Sequence, residues 1–554
     1  MPQKPIYSRP PLISVPYCFP SAGTIRTEDE RILRLYESAG RYSDSPCLWE
    51  GLFRIACLIK NDPLSEPVTG LILKASEETE NGAFGGSISD QISIARAVMA
   101  VFEYNTDRTL LRRIAAWLRY VEIEFDRLSL EDELLYRPAD LMELMVRFYL
   151  AAGSKAVLRL CTRLRTAAFD WTTVLHTFQQ SIPISRNGTV SDPVLKCPPD
   201  ELDYVEKEKL INHAEMLADG MRFSLMCGIF SGHGQDLSAG KSGWQYLLKH
   251  HHAICGGTTA SPFLSGSSPD QPVSTAAVCA WAEALASQLM LSGSDWALDE
   301  MIRIIYNGLE DCLNREILIS SQHVNSLGDE TEEQNPARLY GRLTRAASCA
   351  FQHMITITQD GIRINYRLSG RIMTMIRKQQ VILQTEEDKI LFRSKREFEG
   401  IAEIYLSGTA SAVIATTRHG ETVREPYRDS GGWLKVNGSW QDGDGFVLKD
   451  DGRIYPVDAH HQGICFIERD RLLCLPADRK QYAYAVDEPP VKKNGKTVIH
   501  IGITDKWLLK NGRPGDIPVL PGKSRNAQNA EMQPYSACKA RITMFPRIKN
   551  ACLK

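Results

Sequence analysis

The sequence predicts a multidomain chain of α and β structure, a helical toroid followed by an antiparallel β-sandwich. Three features carry that prediction. Apolar residues recur at helical spacing in hairpin-like pairs through the first half, the pattern changes to alternation near Met354, and Asx-Gly turn pairs then separate short apolar runs.

The helical signals come in order along the chain. Residues 48–58 and 211–229 each read as a helix. Residues 88–102 and 110–120 form a pair broken at Tyr104-Asn105-Thr106-Asp107, and residues 140–151 break at Gly153-Ser154 before Val157, Leu158 and Leu160 resume the pattern. The longest run, residues 274–308, places Val278, Trp281, Ala282, Leu285, Leu289 and Met290 on one helical face. Gly293 ends that helix, Ser294 or Asp295 caps the next, and Trp296, Leu298, Met301, Ile302 and Ile305 carry it to a close at Tyr306-Asn307-Gly308. Hairpins at roughly 50-residue intervals suit a toroid or a solenoid, and the looseness of the repeat favours a closed ring.

From Ile355 onward the apolar residues alternate or cluster, as in 362–366, 381–383, 401–406 and 463–467. Asp360-Gly361, Asn437-Gly438, Asp442-Gly443 and Asp451-Gly452 supply the turns of antiparallel strands. The polar stretch 526–533 reads as a loop, with a last strand at 540–545. The expected division is 1–44 as an N-terminal extension, 45–350 as the helical domain and 351–554 as the β part.

Composition excludes several classes. Lysine plus arginine (65) nearly cancels aspartate plus glutamate (67), which gives no electrostatic case for nucleic acid or an anionic membrane. Met1-Pro2-Gln3-Lys4-Pro5 lacks the apolar core of a signal peptide and no apolar run reaches bilayer length, so a cytoplasmic chain off the membrane is expected. Fourteen cysteines without a CxxC pair suit reduced, buried thiols.

A family resemblance rests on short motifs in a shared order: Leu48-Trp49-Glu50-Gly51, Asp140-Leu141-Met142-Glu143, Asn212-His213-Ala214, Cys255-Gly256-Gly257, Ser274-Thr275-Ala276 and Tyr306-Asn307-Gly308. In the second half Gly431-Gly432-Trp433-Leu434, Trp440-Gln441-Asp442-Gly443-Asp444 and His461-Gln462-Gly463 continue it. With these motifs the chain resembles the β-L-arabinofuranosidase-like glycoside hydrolases, family 127. The resemblance implies an (α/α)6 barrel with a sugar-binding cleft, followed by β-sandwich modules, and a small carbohydrate as the substrate. A homodimer is compatible with it. Members of that family use a zinc-bound cysteine as nucleophile, because zinc keeps a thiolate ready to attack the anomeric carbon. At the corresponding positions this chain has Ser274-Thr275-Ala276 and Arg338-Leu339, and the loop between Gly257 and Ser274 offers only Asp270 as an acid. Serine, alanine, arginine and leucine cannot rebuild a thiolate zinc site. The resemblance therefore implies the scaffold without its metal chemistry, and no metal or cofactor is expected.

Hydrolysis without zinc needs a pair of carboxylates, one protonated and one ionised. Asp90 follows the glycine loop Phe84-Gly85-Gly86-Ser87, Asp140 replaces a histidine of the resembled family, and Glu143 shares a helical face with Asp140. His213 matches a histidine that lines the family's sugar site. These four are the catalytic candidates. Trp49, Glu50 and Phe84 are candidates for contact with sugar, as are His252 and Cys255 beside Gly256-Gly257, where missing side chains permit a ligand's close approach. Each also has a purely structural role available: a helix cap for Asp90, core packing for Trp49, Phe84 and Cys255, a satisfied interior group for the histidines. The run His250-His251-His252 cannot converge on one ion, since neighbours diverge by about 100° on a helix or 180° on a strand. Three functions follow as expectations: a glycoside hydrolase with another catalytic set, a sugar isomerase or lyase, or an inactive sugar-binding protein.

Overall fold

The structure is a computed structural model. It describes residues 13–14, 25–59, 64–77, 82–128, 137–181, 211–260, 262–269, 271–292, 295–326, 333–357, 361–376, 379–386, 388–406, 412–418, 421–424, 432–450, 453–459, 463–476, 481–485, 490–504, 508–509, 518–519 and 525–548. The motif residues Gly431, His461 and Gln462, together with Asp270, Gly293 and Ser294, lie outside the described residues.

The first half is helical: α1 (Glu30–Gly40), α2 (Pro46–Leu58), α3 (Ser65–Ala75), α4 (Ile88–Asn105), α5 (Arg108–Ile123), α6 (Ala139–Ala152), α7 (Val157–Ala167), α8 (Ala214–Ser231), α9 (Gly234–His250), α10 (Thr275–Ser292), α11 (Leu298–Arg303), α12 (Glu310–Asn314) and α13 (Pro336–Gln352). Local chemistry explains their ends. Ser87 and Asp90 form a capping box at the start of α4, Thr106 ends that helix in the left-handed region, and Asp107 caps α5 through the Thr109 amide. Gly153 and Gly232 end α6 and α8 at φ of 66° and 81°, a conformation glycine adopts without steric cost.

Six helices pack in a cycle: α2 against α4, α4 against α6, α6 against α8, α8 against α10, α10 against α13, and α13 back against α2. Each of α1, α3, α5, α7, α9 and α11 packs on one or two members of that ring. Surrounded helices need no polar face, which is why α10 is buried from Ala277 to Met290 rather than along the single stripe its spacing suggested. Glycine permits the join between α2 and α13. A Cβ on Gly341 would stand 2.6 Å from the Cys47 carbonyl oxygen, and one on Gly51 would stand 2.1 Å from Thr344 Oγ1.

The chain after Gln352 is strands in three main sheets, of five, seven and nine strands. Ile13–Ser14 and Ile25–Arg26 join the first two by pairing with Ile355–Ile357 and Gly370–Ile376. Those two sheets face each other through aromatic rings: Phe392 and Phe446 from one meet Phe398 and Trp440 from the other. The structure is thus mixed helix and sheet in the expected order.

Two local expectations are overturned. Residues 526–533 belong to the strand Arg525–Pro534, not a loop: its backbone is held between Lys496–Thr504 and Arg471–Pro476, and Met532 and Ala530 pack on that sheet's core. Ladder bonds and every-other-residue burial outweigh polar composition there. Nor does the helix after Asp295 close at Tyr306-Asn307-Gly308. The chain passes through a π turn, Ile304–Leu309, and continues as α12. The turn has a physical purpose, since it aims Asn307 at the nine-stranded sheet: its Oδ1 accepts from Leu472 N at 2.7 Å and its Nδ2 donates to the Asp470 carbonyl at 3.2 Å. One turn later Asp311 meets the fully buried Arg541 at 2.7 Å, and Tyr535 stacks beneath that guanidinium at 3.6 Å.

The ring closure can be tested by adding one methyl group. Gly341→Ala should cost about 1–3 kcal/mol in chemical denaturation because backbone must shift, whereas Gly40→Ala, whose Cβ meets nothing within 4 Å, should not destabilise.

Candidate functional site

Every ring helix sends a charged side chain inward, and together they make one network. Glu50 on α2 accepts from Arg96 on α4 at 2.7 Å and from Arg147 on α6 at 2.9 Å. Arg54 and Arg147 share Glu103, at 2.7 and 2.8 Å. Asp140 on α6 is gripped by Arg96 at 2.7 Å and by Arg222 from α8. Arg222 also reaches Glu143 and Glu283, each at 3.0 Å, and so joins α10. From α13, Arg345 meets Glu283 at 3.3 Å and Arg342 meets Asp219 at 3.0 Å and Glu215 at 3.2 Å.

The electrostatics follow from that wiring. Burial pushes the Asp140 carboxyl up, but Arg96 and Arg222 outweigh it and hold the group well below the carboxylate range. Burial likewise raises Asp219, and Arg342 and Arg222 bring it down despite the Asp140 charge nearby. Glu50 and Glu103 are lowered in the same way, by Arg96 and Arg147 in the first case and Arg147 and Arg54 in the second. Burial pushes His213 down to about 4, so its ring is neutral at pH 7.

Two cavities lie on either side of this network. One, of about 270 Å³, is lined by Ser45, Cys47, Ile88, Ser89, Ile92, Ser93, Arg137, Asp140, Asp219, Asn335, Ala337, Arg338, Arg342 and Arg345. Most of these residues stand at or near the first turns of α2, α4, α6 and α13, with Asp219 of α8 and Arg342 and Arg345 of α13 one to two turns further in. The other, of about 50 Å³, is lined from the later turns, including Glu143, Ser287, Ser348, Cys349 and His353.

The structure brings some of the sequence-derived candidates together and separates others. Asp140, Glu143 and Glu50 meet in the network, where Asp140 faces the larger cavity with 32% of its side chain exposed and Glu143 and Glu50 face the smaller. His213 caps the start of α8 against the ring of Phe263 and has a buried Nδ1 without a partner among the described residues. Asp90 lines neither cavity: its carboxylate accepts from the Ser87 amide and hydroxyl as half of the capping box. Phe84 is buried and stacked on Trp117, and Trp49 donates to the Ser43 carbonyl at 2.6 Å. His252 pairs with Glu300 at 3.2 Å, and Glu300 also accepts from the Gly257 amide at 2.7 Å. Cys255 is fully buried, with its thiol pushed up to about 12 by that burial. The geometry thus gives Asp90, Phe84, Trp49, His252 and Cys255 caps, ring contacts and interior hydrogen bonds in place of a position on the larger cavity. The three consecutive histidines do diverge, His250 against the Tyr246 ring, His251 donating to the Gln180 carbonyl, and His252 to Glu300.

Sequence reading missed Asp219, Arg96, Arg147, Arg222, Arg342 and Glu283. The signal existed, because a charge inside an apolar helical run, as in Ala95-Arg96-Ala97-Val98 or Ala282-Glu283-Ala284-Leu285, is a buried polar group demanding a partner.

The residues that the resemblance sets at the family's zinc-ligand positions have other partners here. Ser274 Oγ accepts from the Ala277 amide at 3.3 Å, Arg338 lines the larger cavity and Leu339 is core. No three His, Cys, Asp or Glu residues cluster to hold a metal among the described residues. The donor set does not fit a thiolate zinc centre.

No protein-family model and no curated protein matches this sequence. Solved structures do match it in fold. One titled a glycoside hydrolase superposes with a TM-score of 0.73 at 12% identity, covering 98% of this chain and 99% of that one. A family 127 β-L-arabinofuranosidase from Geobacillus stearothermophilus T6 gives 0.66 at 14%, covering 94% of each chain. A further family 127 β-arabinofuranosidase gives 0.66 at 12%, covering 97% of this chain and 98% of that one. The chain therefore shares its fold, nearly end to end, with family 127 glycoside hydrolases. Among the described residues no helix is long and apolar enough to cross a membrane.

Two measurements test the network. Arg147→Met takes one guanidinium partner from Glu50 and from Glu103, leaving Arg96 to the first and Arg54 to the second, and should cost about 1.5–3 kcal/mol, part of which Arg147→Met with Glu103→Gln should restore. The second measurement is the pH dependence. A histidine at about 4 in the folded chain and 6.5 ordinarily takes its proton first in the unfolded state, so stability falls as pH drops from 6.5 to 4. The depressed carboxylates act in the same direction. Denaturation curves of His213→Gln should lose less stability over that window than wild type, and parallel curves would reject the depressed value.

Proposed function

We infer that the chain is a carbohydrate-active enzyme of the glycoside hydrolase type, an (α/α)6 toroid with a β-sandwich part. A small glycoside or oligosaccharide would sit in the larger cavity, with no zinc-thiolate step. The observation that carries this reading is the pairing of an end-to-end fold match to glycoside hydrolases with a cavity at the ring mouth walled by two ionised aspartates.

An ionised Asp140 can take a proton from the attacking water of an inverting hydrolysis while solvent water gives one to the departing glycosidic oxygen, and both Asp140 and Asp219 can accept hydrogen bonds from sugar hydroxyls. Asp140 is the more open of the two, at 32% against 7%. Neither can supply the acid at neutral pH, since the arginines hold both deprotonated. The serines and Asn335 add uncharged partners, and Ile88 and Ile92 give an apolar patch for a ring face. Thiolate attack has no support from Cys279 and Cys349, whose thiols burial pushes up. The neutral His213 near these arginines favours a second reading, an isomerase or lyase that moves a proton on the sugar.

A panel of glycosides and reducing sugars, run with wild type and Asp140→Asn, decides among these. Hydrolysis that falls about a hundredfold or more in the variant, at an unchanged Tm, supports the base role. Turnover equal in the two proteins rejects it, and one equivalent of tightly bound zinc in purified protein rejects the loss of the metal.

A further inference from the structure

The sign of the charge left over in the larger cavity depends on which of its walls are already neutralised. Asp140 is taken by Arg96 and Arg222, neither of which lines that cavity. Asp219 is taken by Arg222 through Oδ1 and by Arg342 through Oδ2. The aspartates therefore bring little unspent negative charge. Arg345 is matched from behind by Glu283 at 3.3 Å. Two arginines remain. Arg137 makes no hydrogen bond or ion pair with any described residue, and Arg338 only approaches Glu215 at 4.0 Å with about half of its side chain exposed. Beside them, Arg342 is 6% exposed and its buried Nη1 has no partner among the described residues. Crowding is visible at Arg137, whose pKa burial lowers and the neighbouring Arg338 and Arg342 lower further, with Asp219 and Glu215 offsetting only part of the shift. Three guanidinium groups thus share Glu215 and an Asp219 that Arg222 also holds, and like charges gathered with too little counter-charge are costly in a folded protein unless a ligand completes the site.

We propose that this cavity takes a sugar bearing an oxyanion, a carboxylate or a phosphate, with Arg137 and Arg338 clamping the anion and Asp140 and Asp219 receiving the sugar hydroxyls. Guanidinium is the suited partner, because its planar fork matches both oxyanions in two parallel hydrogen bonds. A volume of about 270 Å³ lies just under the usual 300–1,000 Å³ of small-molecule sites, which suits a single sugar unit. The neutral serines and Asn335 then discriminate hydroxyl positions, while the arginines discriminate charge. This assignment rests on the reading that the cavity takes a sugar at all, and it names the class of sugar.

Calorimetry on the full chain with D-galacturonate, D-glucose 6-phosphate, D-galactose, D-glucose and inorganic phosphate separates the possibilities. The expected result is that one charged sugar binds at least tenfold more tightly than its neutral counterpart, weakens as salt rises from 50 to 200 mM, and tells carboxylate from phosphate by which one binds. Arg338→Ala and Arg137→Gln should each weaken that binding about tenfold at an unchanged Tm, with Arg338→Lys recovering part. Equal binding of charged and neutral sugars overturns the anion assignment while leaving the carbohydrate reading intact. Binding of inorganic phosphate without any sugar, or of no probe at all, overturns both.

Discussion

Each of the six ring helices places a charged side chain in a largely buried interior, and arginine–carboxylate pairing is the constraint that makes the arrangement stable. A lone buried ion would cost several kcal/mol in lost hydration. Here Arg96, Arg147 and Arg222 each bridge carboxylates from at least two helices, so most of these charges have more than one partner. Arginine suits the task because its rigid fork of donors fixes direction as well as charge. Apolar packing alone would let a ring of buried helices rotate or slip by a turn. Directional pairs spaced as Glu50, Arg96, Asp140, Arg222, Glu283 and Arg345 permit one register, and Gly51 and Gly341 let α2 and α13 come close enough to close it.

The same network decides what chemistry the interior can host. A carboxylate dyad that shares a proton needs two acids close together and weakly compensated. Asp140 and Asp219 are the opposite case, each held ionised by two arginines. The cysteines near the ring are equally committed. Cys255 and Cys312 are pushed up to about 12 by burial, which leaves them thiols at neutral pH. The ring interior therefore concentrates hard, fixed charge. Held this way, the carboxylates are fixed hydrogen-bond acceptors, and the buried thiols are poorly suited to covalent attack.

Much of the fold was legible because helix ends are written in local chemistry. Gly153, the Asn105-Thr106-Asp107 break and the shift to alternation after Met354 each depend on neighbours in sequence. The π turn at Tyr306-Asn307-Gly308 and the strand Arg525–Pro534 were illegible for the converse reason. Asn307 is set by Leu472 and Asp470, and the polar strand by its ladders to distant segments. The site divides along the same line. Asp140, Glu143 and Glu50 could be picked out as acids at helix starts or in motifs, but their partners lie on other helices, and spacing within one helix says nothing about a guanidinium arriving from α8. Asp90 could not be assigned from sequence because a capping carboxylate and a ligand-facing one share the same context, and the structure shows its capping box with Ser87.

The direction of the ring helices gives the mouth its sign. Residues lining the larger cavity come from the opening turns of α2, α4, α6 and α13, and Asp219 stands early in α8, so these helices present their N-terminal ends to the same space. Each such end carries about half a positive charge from its unpaired amides. Alone that field is weak and screened, but here Arg137 and the loosely paired Arg338 reinforce it at the same rim. Most of the network's carboxylates, Glu50, Glu103, Glu143 and Glu283, do not line this cavity, and the two that do, Asp140 and Asp219, are spent on arginines. Separation of the two roles lets a fold held by paired charge still keep an attractive surface for an anion, and it explains why the chain's near-zero overall balance of charge gave no hint of one.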